Sequence, residues 1–175
     1  MPPTANPEDI LPPATSQGQP TRGERAGYQP ASRDPREVLN LALPADAVSI
    51  SVARAALRRW LADWSWPADQ LDDIVLAVNE AVSNAVEHAY LDQAPGMVDI
   101  HGEIQATPPG RHRVTIIVRD HGRWRPPPLE HENRRRGIPI MQACMDTVTI
   151  GQPDDDSVGT WVALRSNAVL PRDKH

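Results

Sequence analysis

The feature that most restricts how this chain can fold is an amphipathic segment over residues 69–90. Its apolar residues recur at spacings of three and four, which is the period of an α-helix that buries one face. They are Leu71, Ile74, Val75, Val78, Val82, Ala85, Val86 and Ala89. The spacing predicts a long central helix with Asp69 as its N-terminal cap, and a second layer must cover the apolar face.

Shorter segments on either side predict the elements around this helix. Five segments are strand-like, one of them ended by Pro44 and two of them separated by a turn that contains Pro and Gly. The strand segments are residues 38–43, 97–105, 112–120, 147–150 and 160–164. A second apolar stripe predicts a helix over residues 46–64 capped by Asp46, and a short helix is expected at 137–145. This combination of elements predicts an α+β domain.

The segment that precedes these elements has a different composition. Eight of the 19 prolines lie in residues 1–37, together with scattered charges and almost no apolar periodicity. Such a segment cannot bury enough apolar surface to offset the entropy cost of ordering its backbone, roughly 1–2 kcal/mol per residue. We therefore expect a disordered tail at residues 1–37, a folded domain at 38–168 and a C-terminal tail at 169–175.

Charge and cysteine content exclude several classes of protein. With 18 Lys and Arg against 23 Asp and Glu, the formal charge is −5, which argues against a general nucleic-acid binder. No apolar run approaches the ~20 residues of a membrane span, and the N-terminus lacks a signal-peptide profile. The single cysteine, Cys144, cannot form an internal disulfide. We expect a cytoplasmic protein with no direct contact to nucleic acid or membrane.

Polar residues at helical spacing accompany the central apolar stripe. Glu80, Asn84 and His88 lie four residues apart, so they are expected on one face of the helix beside the stripe. A carboxamide oxygen can bind Mg²⁺, and a carboxylate one turn away can orient or deprotonate a hydroxyl group. One interpretation is a magnesium–phosphate site. The alternative is an ordinary helix surface, where Glu and Asn often occur at this spacing.

Three weaker patterns lie further along the chain. Asp120 ends a predicted strand and Gly122 follows, so a carboxylate could accept a hydrogen bond from an exocyclic amine while the glycine permits close backbone approach. Three arginines precede Gly137 at the start of a predicted helix, which suits an anion. The pair Gly159–Thr160 leads into the last strand. Each pattern taken alone is common in turns and solvated loops.

Together and in this order, the patterns resemble the histidine-kinase-like (GHKL) ATP-binding superfamily. The resemblance covers about residues 38–164 and is strongest to the bacterial anti-sigma-factor serine/threonine kinases. It implies a two-layer sandwich in which a mixed, mostly antiparallel sheet packs against helices. It also implies ATP and Mg²⁺ as cofactors.

Roles for single residues follow from the resemblance. Glu80 would be the general base that activates a partner's serine or threonine hydroxyl, and Asn84 would coordinate Mg²⁺ that bridges the ATP phosphates. Asp120 would bind the adenine amino group, with Gly122 lining the base pocket. His88 is expected to be structural.

The same resemblance places three more residues at the nucleotide. Gly137 and its helix N-terminus would lie by the phosphates, with Arg136 supplying charge, and Thr160 would support the adenine side through its hydroxyl. The implied partners are a sigma factor and a STAS-type anti-anti-sigma factor that accepts the phosphate. A homodimer formed through the first helix and strand region is also expected, with Trp60 and Trp64 as contributors if they are not core residues.

Two positions depart from the family pattern. Trp124 stands where the adenine motif usually has a second glycine, and Arg135 stands two residues before Gly137, where a further glycine is usual. The prolines at 126–128 would stiffen the lid over the nucleotide. These departures favour an alternative hypothesis, a binding module of the same fold that sequesters a sigma factor or its antagonist without phosphoryl transfer.

Overall fold

The folded part of the chain presents helices and strands in the order that the apolar patterns predict. The computed structural model describes residues 34–90, 94, 96–123, 136–153 and 158–171. The strands are β1 Val38–Pro44, β2 Met97–Thr107, β3 Arg111–Asp120, β4 Thr147–Gly151 and β5 Trp161–Arg165. The helices are α1 Ala47–Asp63, α2 Ala68–Asn84 and α3 Gly137–Cys144, with a 3-10 turn at Pro35–Glu37 and a π-helical turn at Ala85–Ala89.

The five strands form one sheet in the order β1-β2-β3-β5-β4. The expected α+β sandwich is confirmed, and each of the four strand pairs is antiparallel across the described ranges. β3 pairs with β5 so that Arg119 lies opposite Trp161. This register brings Asp120, the last residue of β3, beside Thr160, and the Asp120 N–H donates to the Thr160 carbonyl oxygen at 2.9 Å.

One face of the sheet packs against the helices, and the predicted stripe on α2 forms the centre of that interface. The buried residues include Ile74, Val75, Val78 and Val82 on α2 and Ile100, Val114, Ile116, Val118 and Leu164 on the strands. Burial contributes about 1.5–3 kcal/mol for each such side chain. The stripe therefore fixes α2 on the sheet together with the polar residues beside it. None of the helices in the described ranges has the length and apolarity needed to cross a membrane.

The two predicted helix caps have different outcomes. Asp46 caps α1 as expected, because its carboxylate accepts a hydrogen bond from the Ser49 N–H at 2.8 Å. The prediction that Asp69 caps the next helix is wrong. Pro67 occupies the N-cap position with extended backbone, α2 begins at Ala68, and Asp69 lies within the first turn.

α3 lies antiparallel to α2 and contacts it at both ends. At its start, Gly137 faces Glu80 and Asn84 near the end of α2. At its end, Cys144 lies beside Asp73 near the start of α2, where burial raises the pKa of the thiol and the Asp73 carboxylate raises it further. The orientation of α3 therefore directs its N-terminus toward the polar residues of α2.

Ordered structure extends slightly beyond the core elements at both ends. Asp34 caps the 3-10 turn, and the indole N–H groups of Trp60 and Trp64 both donate to the Arg36 carbonyl oxygen, at 2.8 and 3.1 Å. Trp60 is a core residue with 7% exposure, whereas Trp64 is half-buried. At the other end, Val169 pairs with His112 through two backbone hydrogen bonds.

Candidate functional site

Glu80 and Asn84 lie on the last turns of α2 and face the start of α3. A Cβ atom placed on Gly137 would lie 3.3 Å from Glu80 Oε2 and 3.3 Å from Asn84 Nδ2, so the two side-chain ends meet at this glycine. Within the part of the chain that the structure describes, neither side chain has a hydrogen-bond or ion-pair partner. A carboxylate and a carboxamide that have no partner among the described residues, beside a helix N-terminus, can bind a ligand.

Asp120 occupies a buried position at the end of β3. Its Oδ1 atom accepts hydrogen bonds from the backbone N–H groups of Gly122 (3.0 Å) and Thr160 (3.2 Å). Burial raises the pKa of this carboxyl, and the two backbone hydrogen bonds oppose that rise. Oδ2 accepts no hydrogen bond from the described residues. It is therefore the oxygen that remains for a donor on a ligand.

Gly122 packs directly against the end of the central helical segment. A Cβ atom on Gly122 would overlap the Ala89 carbonyl oxygen, and the next residue, Arg123, donates its N–H to that same oxygen at 3.0 Å. Glycine is needed here because the two backbone segments approach so closely. The loop after β3 is thus attached to the π-helical turn that continues α2.

Tyr90 makes a second connection between these segments, and sequence reasoning did not identify it. Its hydroxyl accepts a hydrogen bond from the His121 N–H at 2.9 Å and donates to the Met97 carbonyl oxygen at 2.6 Å. Burial raises the pKa of Tyr90 above its ordinary value, and the carboxylates of Asp120 and Asp99 add to that rise. A Cβ on Gly96 would overlap the Tyr90 ring. The available signal was an aromatic residue directly after the predicted helix, followed by a glycine before the next strand.

Thr160 contributes to the site through its backbone. Its N–H donates to Asp120 Oδ1 and its carbonyl oxygen accepts from the Asp120 N–H, whereas its hydroxyl makes no hydrogen bond with the described residues. The preceding residue, Gly159, has a φ of +136°, and a Cβ there would overlap the Asp120 carbonyl oxygen. The Gly-Thr pair therefore lets β5 approach the end of β3 closely enough to hold the Asp120 carboxylate.

The predicted anion-binding segment is only partly within the described residues. Arg136 is exposed and occupies the N-cap position of α3. Its side chain accepts no hydrogen bond from the first N–H groups of this helix. Arg134 and Arg135 lie outside the described residues, as do Trp124 and the prolines at 126–128.

Among the described residues, His88 makes no hydrogen bond or ion pair with Glu80 or Asn84. It lies in the π-helical turn Ala85–Ala89 that continues α2. Its side chain is 44% exposed and lies 3.9 Å from the Glu87 carboxylate.

The predicted site residues therefore form two groups joined by the π-helical turn. Glu80, Asn84 and Gly137 meet where α2 faces α3. Asp120 binds the backbone of Gly122 and Thr160 at the ends of β3 and β5. Ala89 and Tyr90 hold the loop of the second group to the helix that carries the first.

Comparison with known proteins shows the family of this chain. The chain matches the histidine kinase-like ATPase domain family over residues 43–166. It is 31% identical over 143 residues to the anti-sigma F factor of Halalkalibacterium halodurans, with 75% of this chain and 93% of that protein covered. It is 28% identical over 86 residues to the serine-protein kinase RsbW of Bacillus subtilis, with 49% of this chain and 51% of that protein covered.

A solved structure gives the same result for the fold. The crystal structure of the RsbU and RsbW domains of a Mycobacterium tuberculosis protein superposes with a TM-score of 0.55 at 25% identity, covering 79% of this chain and 35% of that one. The chain therefore belongs to the histidine kinase-like ATPase family, within its group of anti-sigma-factor serine/threonine kinases.

Proposed function

We propose that this protein is an ATP-dependent protein serine/threonine kinase that phosphorylates a STAS-type anti-anti-sigma factor and also sequesters a sigma factor. The observation that carries the proposal is that the side chains of Glu80 and Asn84, which have no hydrogen-bond or ion-pair partner among the described residues, meet at Gly137, the first residue of α3. The names of the relatives, anti-sigma F factor and serine-protein kinase RsbW, supply the reaction class.

The residues around Asp120 fit an adenine base. An ionised Asp120 leaves Oδ2 free to accept a hydrogen bond from the N6 amino group, because Oδ1 is already occupied by two backbone donors. Gly122 and Gly159 keep the neighbouring backbone close around this carboxylate. Thr160 acts by holding the carboxylate through its N–H.

The residues at the start of α3 fit a phosphate chain with its metal ion. Asn84 would supply an amide oxygen as a ligand, Arg136 would supply positive charge, and the N–H groups of Gly137 and Ile138 at the start of α3 would donate to the phosphates. A bound Mg²⁺ would neutralise charge on the phosphate oxygens. In the described ranges, no group of three or more His, Cys, Asp or Glu is arranged to hold a metal ion. In this proposal the ATP phosphates would supply most of the other oxygen ligands.

Glu80 is the proposed general base. Its Oε2 atom takes the proton of a serine or threonine hydroxyl on the partner as that oxygen bonds to the γ-phosphorus and the bond to the β,γ-bridging oxygen breaks. The products are a phosphorylated partner and ADP. The protein positions these groups and does not form a covalent bond to the phosphoryl group.

The proposal also concerns partners. Because the proposed partners, a sigma factor and its STAS-type antagonist, act in the cytoplasm, we also propose that this protein is cytoplasmic. We further propose a homodimer, in agreement with an apolar groove of about 540 Å³ between α1 and β1. Val52, Ala55 and Trp60 line this groove, and Val52 is 44% exposed. Trp60 lies at its base as a core residue, so the dimer contact would fall mainly on the smaller side chains of α1.

The test is phosphoryl transfer in a reconstituted system. The full chain is incubated with Mg-ATP and a cognate STAS protein, and phosphoserine or phosphothreonine is located by mass spectrometry. Glu80→Gln should lower the single-turnover rate by about 10²–10⁴-fold, the usual contribution of a general base. Glu87→Gln is the matched control, because Glu87 is exposed and does not face Gly137.

Three outcomes would count against the proposal. Transfer at an unchanged rate by the Glu80→Gln variant would remove Glu80 from its assigned role. An equal loss in the Glu87→Gln control would show that the effect is not specific to the site. Tight sigma-factor binding without any ATP binding at millimolar nucleotide would support the non-catalytic binding module instead.

A further inference from the structure

Tyr90 lies where the two groups of site residues are joined, and its hydroxyl makes two hydrogen bonds there. A phenol has one proton, and the His121 N–H can act only as a donor, so the Tyr90 proton must be directed to the Met97 carbonyl oxygen. Burial and the nearby carboxylates of Asp120 and Asp99 keep the hydroxyl protonated. The direction of both hydrogen bonds is therefore determined by the chemistry of the three groups.

The hydrogen bond from His121 acts on the segment that orients Asp120. His121 directly follows Asp120 and precedes Gly122, whose N–H binds the Asp120 carboxylate. The second hydrogen bond of the Tyr90 hydroxyl attaches it to β2, because Met97 begins that strand and pairs opposite Pro44. Ring packing against Gly96 leaves the phenol little freedom to rotate away.

We infer that Tyr90 is a positioning residue that sets base selectivity, because it holds the His121–Gly122 backbone so that the Asp120 carboxylate meets the 6-amino group of a purine nucleotide. The inference rests on the proposed function and adds a residue and a specificity to it. In this role Tyr90 acts through the backbone that orients Asp120 and not by contact with the nucleotide. Its effect must therefore depend on whether the ligand has the amino group that Asp120 binds.

The test compares two nucleotides that differ only at that group. Titration calorimetry measures the dissociation constants of Mg-ATP and of Mg-purine riboside triphosphate, which has hydrogen in place of the 6-amino group. Wild type should bind ATP at least about tenfold more tightly, as expected for a hydrogen bond to a charged group. Tyr90→Phe should reduce that selectivity to about twofold, mainly by weakening ATP.

Ser166→Ala is a matched control for losing a hydroxyl that bridges two backbone groups. Ser166 Oγ likewise accepts from a backbone N–H, that of Val114 at 3.1 Å, and donates to a backbone carbonyl, that of Asn167 at 2.8 Å. Val114 lies six residues before Asp120 on β3, roughly 20 Å away. This variant should be destabilised to a similar degree while its ATP selectivity stays at the wild-type value.

A second perturbation covers the case in which Tyr90→Phe does not fold. The chain has two tyrosines, so 3,5-difluorotyrosine incorporated in a Tyr28→Phe background modifies Tyr90 alone. Fluorination also acidifies the phenol, so binding is measured below neutral pH, where burial and the nearby carboxylates keep the hydroxyl protonated. The protonated hydroxyl is then a weaker acceptor, and ATP selectivity should fall by an intermediate amount.

The possible failures are distinguishable. If the wild-type protein binds no ATP, the proposed function is refuted and the inference with it. If wild type selects ATP and Tyr90→Phe keeps the full selectivity, the inference alone is overturned. Equal losses for both nucleotides, or lost selectivity in Ser166→Ala, would also overturn it, because either result means that Tyr90 supports only the stability of the domain.

Discussion

The substitution Gly137→Ala tests directly whether the start of α3 forms one wall of the site. The added methyl group would lie 3.3 Å from both Glu80 Oε2 and Asn84 Nδ2, closer than an ordinary van der Waals contact. Both neighbours are ends of flexible side chains, so they can move by a few tenths of an ångström. We therefore expect a variant that folds normally and transfers phosphate poorly.

The expected change in stability is small because two effects oppose each other. The φ angle of Gly137 is outside the left-handed region, so alanine fits the backbone and gains about 0.4–1 kcal/mol from the reduced entropy of the unfolded chain. Displacing the two side chains from their preferred rotamers costs about 0.5–1.5 kcal/mol. The net change should be within about 1 kcal/mol, or a shift in melting temperature of roughly 2–4 °C.

The expected change in activity is much larger. A misplacement of about 1 Å at reacting groups can cost about 10²-fold, so a shift of a few tenths of an ångström together with a methyl group beside the phosphates should lower kcat/KM by about tenfold to a hundredfold. The assay is transfer to the STAS protein at subsaturating ATP, accompanied by thermal unfolding. Gln142→Ala, an exposed position on the same helix, is the control. A Gly137→Ala variant with kcat/KM within twofold of wild type would refute the reasoning.

Two further substitutions separate packing from ligand binding. Gly122→Ala should destabilise the domain by about 1–3 kcal/mol, because its Cβ overlaps the Ala89 carbonyl oxygen; urea unfolding at wild-type stability would contradict this contact. Asp120→Asn should be at least as stable as wild type at pH 7, since the amide oxygen still accepts both backbone N–H groups. It should bind ATP at least about tenfold more weakly, because the amide nitrogen replaces the oxygen that accepts from the 6-amino group. The raised pKa of Asp120 means that the native state holds its proton more tightly than the unfolded state, whose reference value is 3.8. Wild type should therefore lose stability relative to Asp120→Asn as pH rises from below 3.8 through the raised native pKa, and urea midpoints whose difference does not grow with pH would contradict this.

Local sequence patterns were sufficient where a single physical effect controls the outcome. The three-and-four spacing of apolar residues located α2, because only one helical face can be buried on the sheet. Asp46 was identified as a cap because a carboxylate directly before a helix can accept a hydrogen bond from the N–H groups of the first turn. Asp69 was not a cap, because Pro67 takes the N-cap position and α2 begins at Ala68, two residues earlier than a cap at Asp69 requires.

The end of the central helix could not be predicted from periodicity. A stripe with α-helical spacing continues through Ala89, yet the structure changes to a π-helical turn at Ala85. Within this turn the Ala89 carbonyl oxygen lies against Gly122 and accepts a hydrogen bond from the Arg123 N–H. That contact depends on the loop after β3, which is more than thirty residues away in sequence.

By itself, the sequence determined the fold class, the polar pair on α2 and the carboxylate at the end of β3, since each depends on short-range spacing and local chemistry. Only the tertiary structure decided which groups meet: the strand register aligned Asp120 with Thr160, and the packing of α3 on α2 brought Gly137 to Glu80 and Asn84. The contribution of Tyr90 was likewise decided by the tertiary structure. Of its two hydrogen-bond partners, Met97 begins β2 and His121 directly follows β3, and only the folded sheet brings them within reach of one hydroxyl.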